Sequence, residues 1–149
     1  PARRATSGKK VVLLSDCEPD VSALSPLLLE KAANVMIKLS PMMDISAALR
    51  DLPQTTEVHI VAVENECKEV LIILRKNNVK PLQVFTINFG KNDHQQLFKF
   101  DVQDESNSTS KLSSEVGKYL YEPNAAVMKS GGFKLIGNYF GLSNISFIK

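Results

Sequence analysis

Two strand-like runs separated by a short polar segment give this chain its strongest structural signal. Residues 58–63 and 69–74 are mostly β-branched or aliphatic, and the intervening residues 64–68 include three charged side chains. Two such runs joined by a short polar segment are typical of antiparallel strands connected by a turn. The sequence therefore predicts a β-hairpin over residues 58–74.

The residues before this hairpin alternate between strand-like runs and helical periodicity. Apolar runs at residues 11–14 and 35–39 predict two strands. Apolar residues recur at helical spacing between about residues 20 and 33, and Asp44 is placed to cap a second helix that ends near Pro53. This order predicts an α/β fold in which helices join parallel strands and one antiparallel strand is added at the end.

A second module is predicted to begin near residue 80, which divides the chain into residues 1–79 and 80–149. The later sequence has a different character, with short β-rich runs followed by a helical tail. The expected strands are at 84–89 and 98–102, and an exposed loop is expected at 104–110. A helical segment that includes 119–128 should follow, with Pro123 in a first turn. After a break at Gly131 and Gly132, a second helix is expected at 133–140, capped by Gly141.

Composition is that of a soluble globular chain, with 149 residues of which 44% are hydrophobic and 23% charged. The longest apolar runs are far too short to cross a bilayer, and the first residues lack the apolar core of a signal peptide. We therefore expect a cytoplasmic protein without a membrane partner. The formal charge of +2 does not by itself argue for nucleic acid. Cys17 and Cys67 form no CxxC pair, so neither a metal site nor a disulfide framework is predicted.

The familiar catalytic motifs are absent from the sequence, including GxGxxG, the P-loop, HExxH and GxSxG. His59 lies inside a predicted strand, where an ordinary packed histidine is expected, and His94 lies in a polar, solvated stretch. Asp20 and Asp44 could act as acids or bases, but both positions suit helix N-caps. The chain does not form a complete catalytic unit by these criteria.

A resemblance to a known family begins at the first residue. Pro1-Ala2-Arg3-Arg4 resembles the tail of an Asp-Pro-Ala-Arg-Arg motif at the carboxyl end of the fourth strand in a group of class I S-adenosylmethionine-dependent methyltransferases. The Asp of that motif would directly precede Pro1. The resemblance continues, in order, through residues 15–20, 37–45 and 63–69. Residues 119–132 are similar to the THUMP-like domain that is appended to the same bacterial family.

The resemblance implies that this chain is a fragment of a larger enzyme. Residues 1–79 would be the C-terminal half of a Rossmann-like methyltransferase sheet, with parallel strands and a final antiparallel hairpin. Residues 80–149 would be a small, incomplete α+β THUMP-like module. Residues before Pro1 would belong to the intact protein, including the glycine-rich turn and the acidic residue that hold the cofactor in a doubly wound sheet.

The same resemblance assigns roles to two groups of residues. Pro1, Arg3 and Arg4 would belong to the reaction centre, where guanidinium groups contact phosphate or carboxylate; a solvated basic loop is the competing interpretation. Ser40, Pro41 and Met42 would lie on the substrate side, although Ser40 and Pro41 could simply terminate a strand. S-adenosylmethionine would bind the intact protein. This chain alone is expected to hold neither that cofactor nor a metal, and to be inactive.

The accessory module suggests RNA as the substrate, by analogy with domains that assist RNA modification. Five aromatic residues in the tail could stack on bases, although helical spacing favours core packing for most of them: Tyr119, Tyr121, Phe133, Tyr139 and Phe140. A half-sheet would expose a strand edge and apolar surface, which favours self-association. The alternative function is a non-catalytic α/β binding or interaction module that never binds a cofactor.

Overall fold

The computed structural model describes residues 3–4, 13–77, 80–92 and 94–145. Helices and strands alternate in the first part of the chain, and short helices dominate the last part. In chain order, the elements are β1 (Arg3–Arg4), a 3-10 turn (Leu14–Asp16), β2 (Cys17–Glu18), α1 (Val21–Lys31), β3 (Asn34–Leu39), α2 (Ile45–Asp51), β4 (Thr55–Val63), β5 (Glu66–Arg75), β6 (Gln83–Phe89), β7 (Gln95–Asp101), α3 (Val102–Asn107), β8 (Leu112–Ser113), α4 (Ala125–Ser130), α5 (Phe133–Tyr139) and β9 (Asn144–Ile145).

A five-stranded sheet in the order β3-β5-β4-β6-β7 forms the centre of the structure. β5 is antiparallel to both of its neighbours, so β3 and β4 run in the same direction on either side of it. β4 and β6 pair in parallel, and β6 and β7 pair antiparallel. The fold is therefore mixed α/β, with mostly antiparallel strand pairs.

The predicted hairpin is confirmed as β4 and β5. Its turn is shorter than expected, because Glu64 and Asn65 both adopt positive φ angles, 48° and 63°, and Glu66 already belongs to β5. Positive φ at both central residues matches the twist of a two-residue hairpin turn.

The placement of the antiparallel strand at the end of parallel strands was wrong. β5 is inserted between β3 and β4, with Val70 opposite both Leu39 and Ile60. The run from Val70 to Leu74 is apolar on both faces of the strand, which suits a central strand better than an edge strand.

The structure describes two residues of the strand predicted at residues 11–14, and neither of them is in a strand. Residues 11 and 12 lie outside the described residues, Leu13 is in a bend, and Leu14 begins the 3-10 turn. Leu14 is fully buried in the core. β1 pairs instead with β2, with Arg3 opposite Glu18.

One face of the sheet carries the hydrophobic core. Val58, Ile60 and Ile72 are fully buried there, and Leu29 of α1 and Ala48 of α2 join the same buried cluster. Ala126 of α4 does so as well. The other face, called here the open face, is more exposed: Met36 is 66% exposed and Leu97 is 71% exposed. It is formed by the alternate side chains of the strands, among them Met36, His59, Leu71, Phe85 and Leu97.

The predicted helix boundaries near the capping residues are confirmed. Asp20 accepts backbone hydrogen bonds at the start of α1, and Asp44 does so at the start of α2. α4 ends at Gly131, whose φ of 76° is the left-handed conformation that glycine favours at a helix C-terminus.

Three expectations for the last part of the chain were wrong. Much of the stretch read as a loop at residues 104–110 forms the second half of α3. Residues 119–124 are not helical, because Asn124 caps α4 with its side chain and Pro123 disfavours a helical conformation at Glu122. Helical spacing favoured core packing for most of the five aromatic residues in the tail, but all five are exposed: Tyr119, Tyr121, Phe133, Tyr139 and Phe140.

The predicted division into residues 1–79 and 80–149 stays a prediction. β6 lies beyond that boundary, yet it pairs with β4 over its whole length, so one sheet contains strands from both parts. Among the helices that the structure describes, none has the length and apolar character needed to span a bilayer.

Candidate functional site

A cavity of about 470 Å³ lies over the core face of the sheet, between α2 on one side and α3 and α4 on the other. This volume is within the usual range for small-molecule sites. Its lining combines apolar side chains with six polar or charged residues. The residues that line it are Met42, Met43, Asp44, Ile45, Ser46, Leu49, Ile60, Val84, Phe100, Val102, Glu105, Ser106, Met128, Lys129, Ser130 and Gly131.

The turn after β3 forms the first wall. The Met43 amide donates to the Ser40 carbonyl at 3.1 Å, and the Met42 amide donates to Ser40 Oγ at 3.2 Å. This turn buries the Met43 side chain and leaves Met42 exposed at the rim. Asp44 then accepts from the Ala47 amide at 3.0 Å and starts α2.

The carboxyl-terminal half of α4 forms the second wall. Asn124 Oδ1 accepts from the Ala126 and Val127 amides, both at 3.1 Å, and fixes where the helix begins. Asn65, in the turn after β4, accepts from the Ala125 amide at 2.7 Å. Ala126 and Val127 are buried, and the two residues that follow them, Met128 and Lys129, line the cavity.

Lys129 joins the two walls. Its Nζ donates to the Met43 carbonyl at 2.7 Å, across 86 residues of sequence. The ion pairs found among the described residues involve other cations, so Lys129 has no carboxylate partner there. An ammonium group carries three donors, and the Met43 carbonyl occupies one of them. The site therefore contains a positive charge with spare hydrogen-bonding capacity.

The charge of Lys129 also affects the pKa of Cys67 on β5. Burial raises the pKa of the Cys67 thiol, and the nearby ammonium only partly opposes that effect. A thiol with a raised pKa is a poor nucleophile at neutral pH. Cys17 is buried and belongs to the core cluster. Neither cysteine is a candidate for covalent chemistry.

The structure places the predicted site residues in different environments. Pro1 lies outside the described residues, and Arg3 and Arg4 form β1. Of the substrate-side residues, Met42 lines the cavity, Ser40 uses its hydroxyl in the turn, and Pro41 is half-buried between them. Their predicted roles in catalysis and substrate binding stay predictions.

Sequence reasoning missed Lys129 and Met128 as site residues. Both lie in the segment 119–132 that carried the resemblance, and the cavity is where this segment meets the segment 37–45 that carried another part of it. The one signal in the sequence that these segments would meet was their shared resemblance to one family. His59 lies elsewhere: it stacks on Phe85 on the open face, with ring centroids 4.6 Å apart.

The cavity residues do not fit S-adenosylmethionine as a doubly wound sheet would hold it. Such a site needs a glycine-rich turn after a parallel strand and an acidic residue for the ribose. Among the described residues that line the cavity, the one glycine is Gly131, which ends α4, and the turn after β3 contains no glycine. Among the residues that the structure describes, no three His, Cys, Asp or Glu side chains are grouped to hold a metal ion.

Comparison with known proteins gives two matches. A family model for a ferredoxin-like domain matches residues 119–146, which include α4, α5 and the Lys129 wall of the cavity. This segment contains no cysteine, so it offers none of the thiolates that hold an iron–sulfur cluster. No match is found among curated proteins.

The second match is to a solved structure. The chain is similar to a putative methyltransferase from Porphyromonas gingivalis W83, with a TM-score of 0.82 and 30% sequence identity over 96% of this chain. The matched region is 35% of that protein, so this chain spans about a third of its length. Nearly the whole chain is therefore structurally similar to one part of a larger, methyltransferase-related protein.

Proposed function

We propose that this chain is the carboxyl-terminal part of an S-adenosylmethionine-dependent methyltransferase that acts on RNA, and that it contributes the substrate side of the enzyme. The observation that carries this proposal is the similarity to the Porphyromonas protein over 96% of the chain. The cofactor is assigned to another part of the protein, because the described residues lack a fitting cradle.

The contacts of α4 with the loops after β3 and β4 support a role in substrate binding. In open α/β sheets, ligands bind beyond the carboxyl ends of parallel strands. β3 and β4 are parallel, and the loops that follow both strands are tied to α4: Met43 accepts from Lys129, and Asn65 accepts from the Ala125 amide. The segment that matches the ferredoxin-like domain is therefore fixed to the strand ends where a substrate would lie.

Exposed aromatic side chains support RNA as the substrate class. Tyr119 and Tyr121 are both exposed, with ring centroids 6.3 Å apart, and the Lys118 ammonium lies 5.3 Å from the centre of the Tyr119 ring. Aromatic rings beside a cation form stacking platforms for unpaired bases. In this proposal, Arg3 and Arg4 contact phosphate near the reaction centre, next to Pro1.

Methyl transfer tests this proposal. The protein encoded by the complete reading frame, given S-adenosylmethionine with a labelled methyl group and total RNA, should transfer label to RNA. A protein that labels only proteins or small molecules would contradict the choice of RNA. Complete inactivity toward every acceptor would favour the alternative, a non-catalytic binding module.

The 149-residue chain provides the matched control. Isothermal titration with S-adenosylmethionine should show no micromolar site, and the chain alone should transfer no label. A stoichiometric micromolar site on this chain would contradict the assignment of the cofactor to another part of the protein.

A further inference from the structure

We propose that the cavity holds one nucleotide of a single-stranded RNA, with its base against Met42, Met43 and Met128 and its phosphate on the Lys129 ammonium. This inference rests on the proposed function and adds to it the part of the substrate that this chain binds.

The lining suits a flat aromatic ring. Three methionines surround the opening and wall of the cavity, the Phe100 ring lies beside it, and Ile60 and Val84 contribute from the sheet. Thioether sulfurs make favourable contacts with aromatic rings, and flexible methionine side chains adapt to different shapes. Ser46, Ser106 and Ser130 add hydroxyl groups to the lining, beside its charged residues.

Lys129 supplies the charge that a phosphate requires. Two carboxylates also line the cavity, but the structure gives each of them another role. Asp44 accepts from the Ala47 amide, and both oxygens of Glu105 accept from the Lys134 and Leu135 amides. Neither forms an ion pair with Lys129. Lysine is a common point-charge ligand for phosphate.

Access favours a single strand. The cavity lies between α2, α3 and α4 over the sheet, so a base that remains stacked in a duplex could not enter it. Enzymes that act on a base inside a helix must first turn it out of the stack, and a single-stranded substrate avoids most of that energetic cost.

Methionine methyl NMR tests where a nucleotide binds. The chain has four methionines, and three of them line the cavity. The fourth, Met36, is exposed on the open face and serves as an internal reference. Titration with adenosine monophosphate or uridine monophosphate should shift the methyl signals of Met42, Met43 and Met128 through the ring current of the base, and leave Met36 unchanged. Met36→Leu assigns the reference signal.

Variants of two lysines test the phosphate contact. Lys129→Gln should weaken binding of adenosine monophosphate by about tenfold, to the affinity of adenosine, since a hydrogen bond to a charged group is lost. Lys76→Gln removes the same charge from an exposed turn after β5 and should change affinity by less than about twofold. Lys129→Arg should retain most of the binding, and thermal unfolding should show that all three variants are folded.

Three results would overturn the inference. The Met36 signal could shift as much as the others, both lysine variants could weaken binding equally, or no methionine signal could respond to either nucleotide at millimolar concentration. These results are independent of the methyl-transfer assay. Unresponsive methionines in a chain whose full-length protein methylates RNA would reject only this inference, whereas nucleotide binding without any methyl transfer would reject only the proposed function.

Discussion

At the scale of single residues, Glu57 on the open face has two basic side chains as partners. Its Oε1 lies 2.6 Å from Arg75 Nη2, and its Oε2 accepts from His59 Nε2 at 2.9 Å. The hydrogen bond from His59 lowers the pKa of Glu57, and Arg75 lowers it further. The ionised form is thus favoured by folding.

This arrangement predicts a pH-dependent contribution to stability. Because the folded-state pKa of Glu57 lies below its unfolded value, the unfolded chain binds more protons between the two values. The contribution is complete above the unfolded pKa, and it is lost as the pH falls through the folded pKa. We expect Glu57→Gln to lower the free energy of unfolding by about 1 kcal/mol at neutral pH and to have a smaller effect at about pH 3.

Urea unfolding at both pH values measures this effect. Glu69→Gln is the matched control, because it removes a carboxylate from the more exposed pair with Lys38 and should cost no more than about 0.5 kcal/mol. If Glu57→Gln lowered the free energy of unfolding equally at both pH values, the shape of the Glu57 side chain, and not its ionisation, would determine the effect.

Gly132 is a second residue whose contacts make a sharp prediction. A Cβ placed there would lie 2.6 Å from Cε1 of Phe100, whose ring is buried beside the cavity. Gly132→Ala should therefore destabilise the protein by about 1–3 kcal/mol, because the ring must move within a packed core. Gly117→Ala introduces a Cβ with no atom within 4 Å, and it should be neutral or stabilise by about 0.5 kcal/mol.

Thermal unfolding of the two glycine variants compares them directly. Equal stability of both would mean that the Phe100 ring can move away freely, and that the end of α4 and the start of α5 are less tightly packed than the structure shows.

At the scale of elements, α5 depends on another helix for its first turn. Its N-cap is Gly132, which has no side chain to accept the free backbone amides. Glu105 of α3 accepts from the Lys134 and Leu135 amides at 3.0 and 2.9 Å instead. The backbone amides of α3 and α5 should therefore lose their protection from hydrogen exchange together.

Removing this contact gives a measurable local effect. Glu105→Ala should cost about 1–2 kcal/mol and should increase hydrogen exchange in α5 much more than in β4 or β5. Asp104→Ala removes a neighbouring carboxylate of the same helix and should leave exchange in α5 nearly unchanged. Uniformly faster exchange throughout the sheet would argue against a local cap.

The elements that the sequence predicted well are those specified by local interactions. Asp20 and Asp44 cap the helices that follow them because the acceptor and the amides are only two or three residues apart. The β4–β5 hairpin likewise depends on a local turn. α3 was missed because none of its residues is buried and its sequence has no apolar periodicity. Its contacts with α5, such as Glu105 with Leu135, come from distant sequence.

The same distinction explains how much of the candidate site could be predicted. Met42 was identified because it follows a predicted strand, where the resemblance placed the substrate. Lys129 was not, because its partner, the Met43 carbonyl, is 86 residues away and no local pattern indicates that contact. A cavity with walls from separate segments becomes visible only when the order of the strands is known.

At the scale of the whole molecule, the two faces of the sheet are covered to different extents. The core face carries the helices and the cavity, whereas the open face leaves Met36 and Leu97 exposed. β3 is also an edge strand, paired with β5 on one side. Exposed apolar surface next to an unprotected strand edge favours pairing with another chain.

This asymmetry predicts that the 149-residue chain self-associates through β3 and the open face. Sedimentation velocity should show dimers whose fraction rises with protein concentration, and Met36→Lys should shift the chain toward monomer by placing a charge on that surface. Met42→Lys is the matched control, because Met42 is 67% exposed against 66% for Met36 but lies at the cavity rim. If the unmodified chain is a monomer at high concentration, or if both substitutions dissociate it equally, the open face and its edge are not the surface that associates.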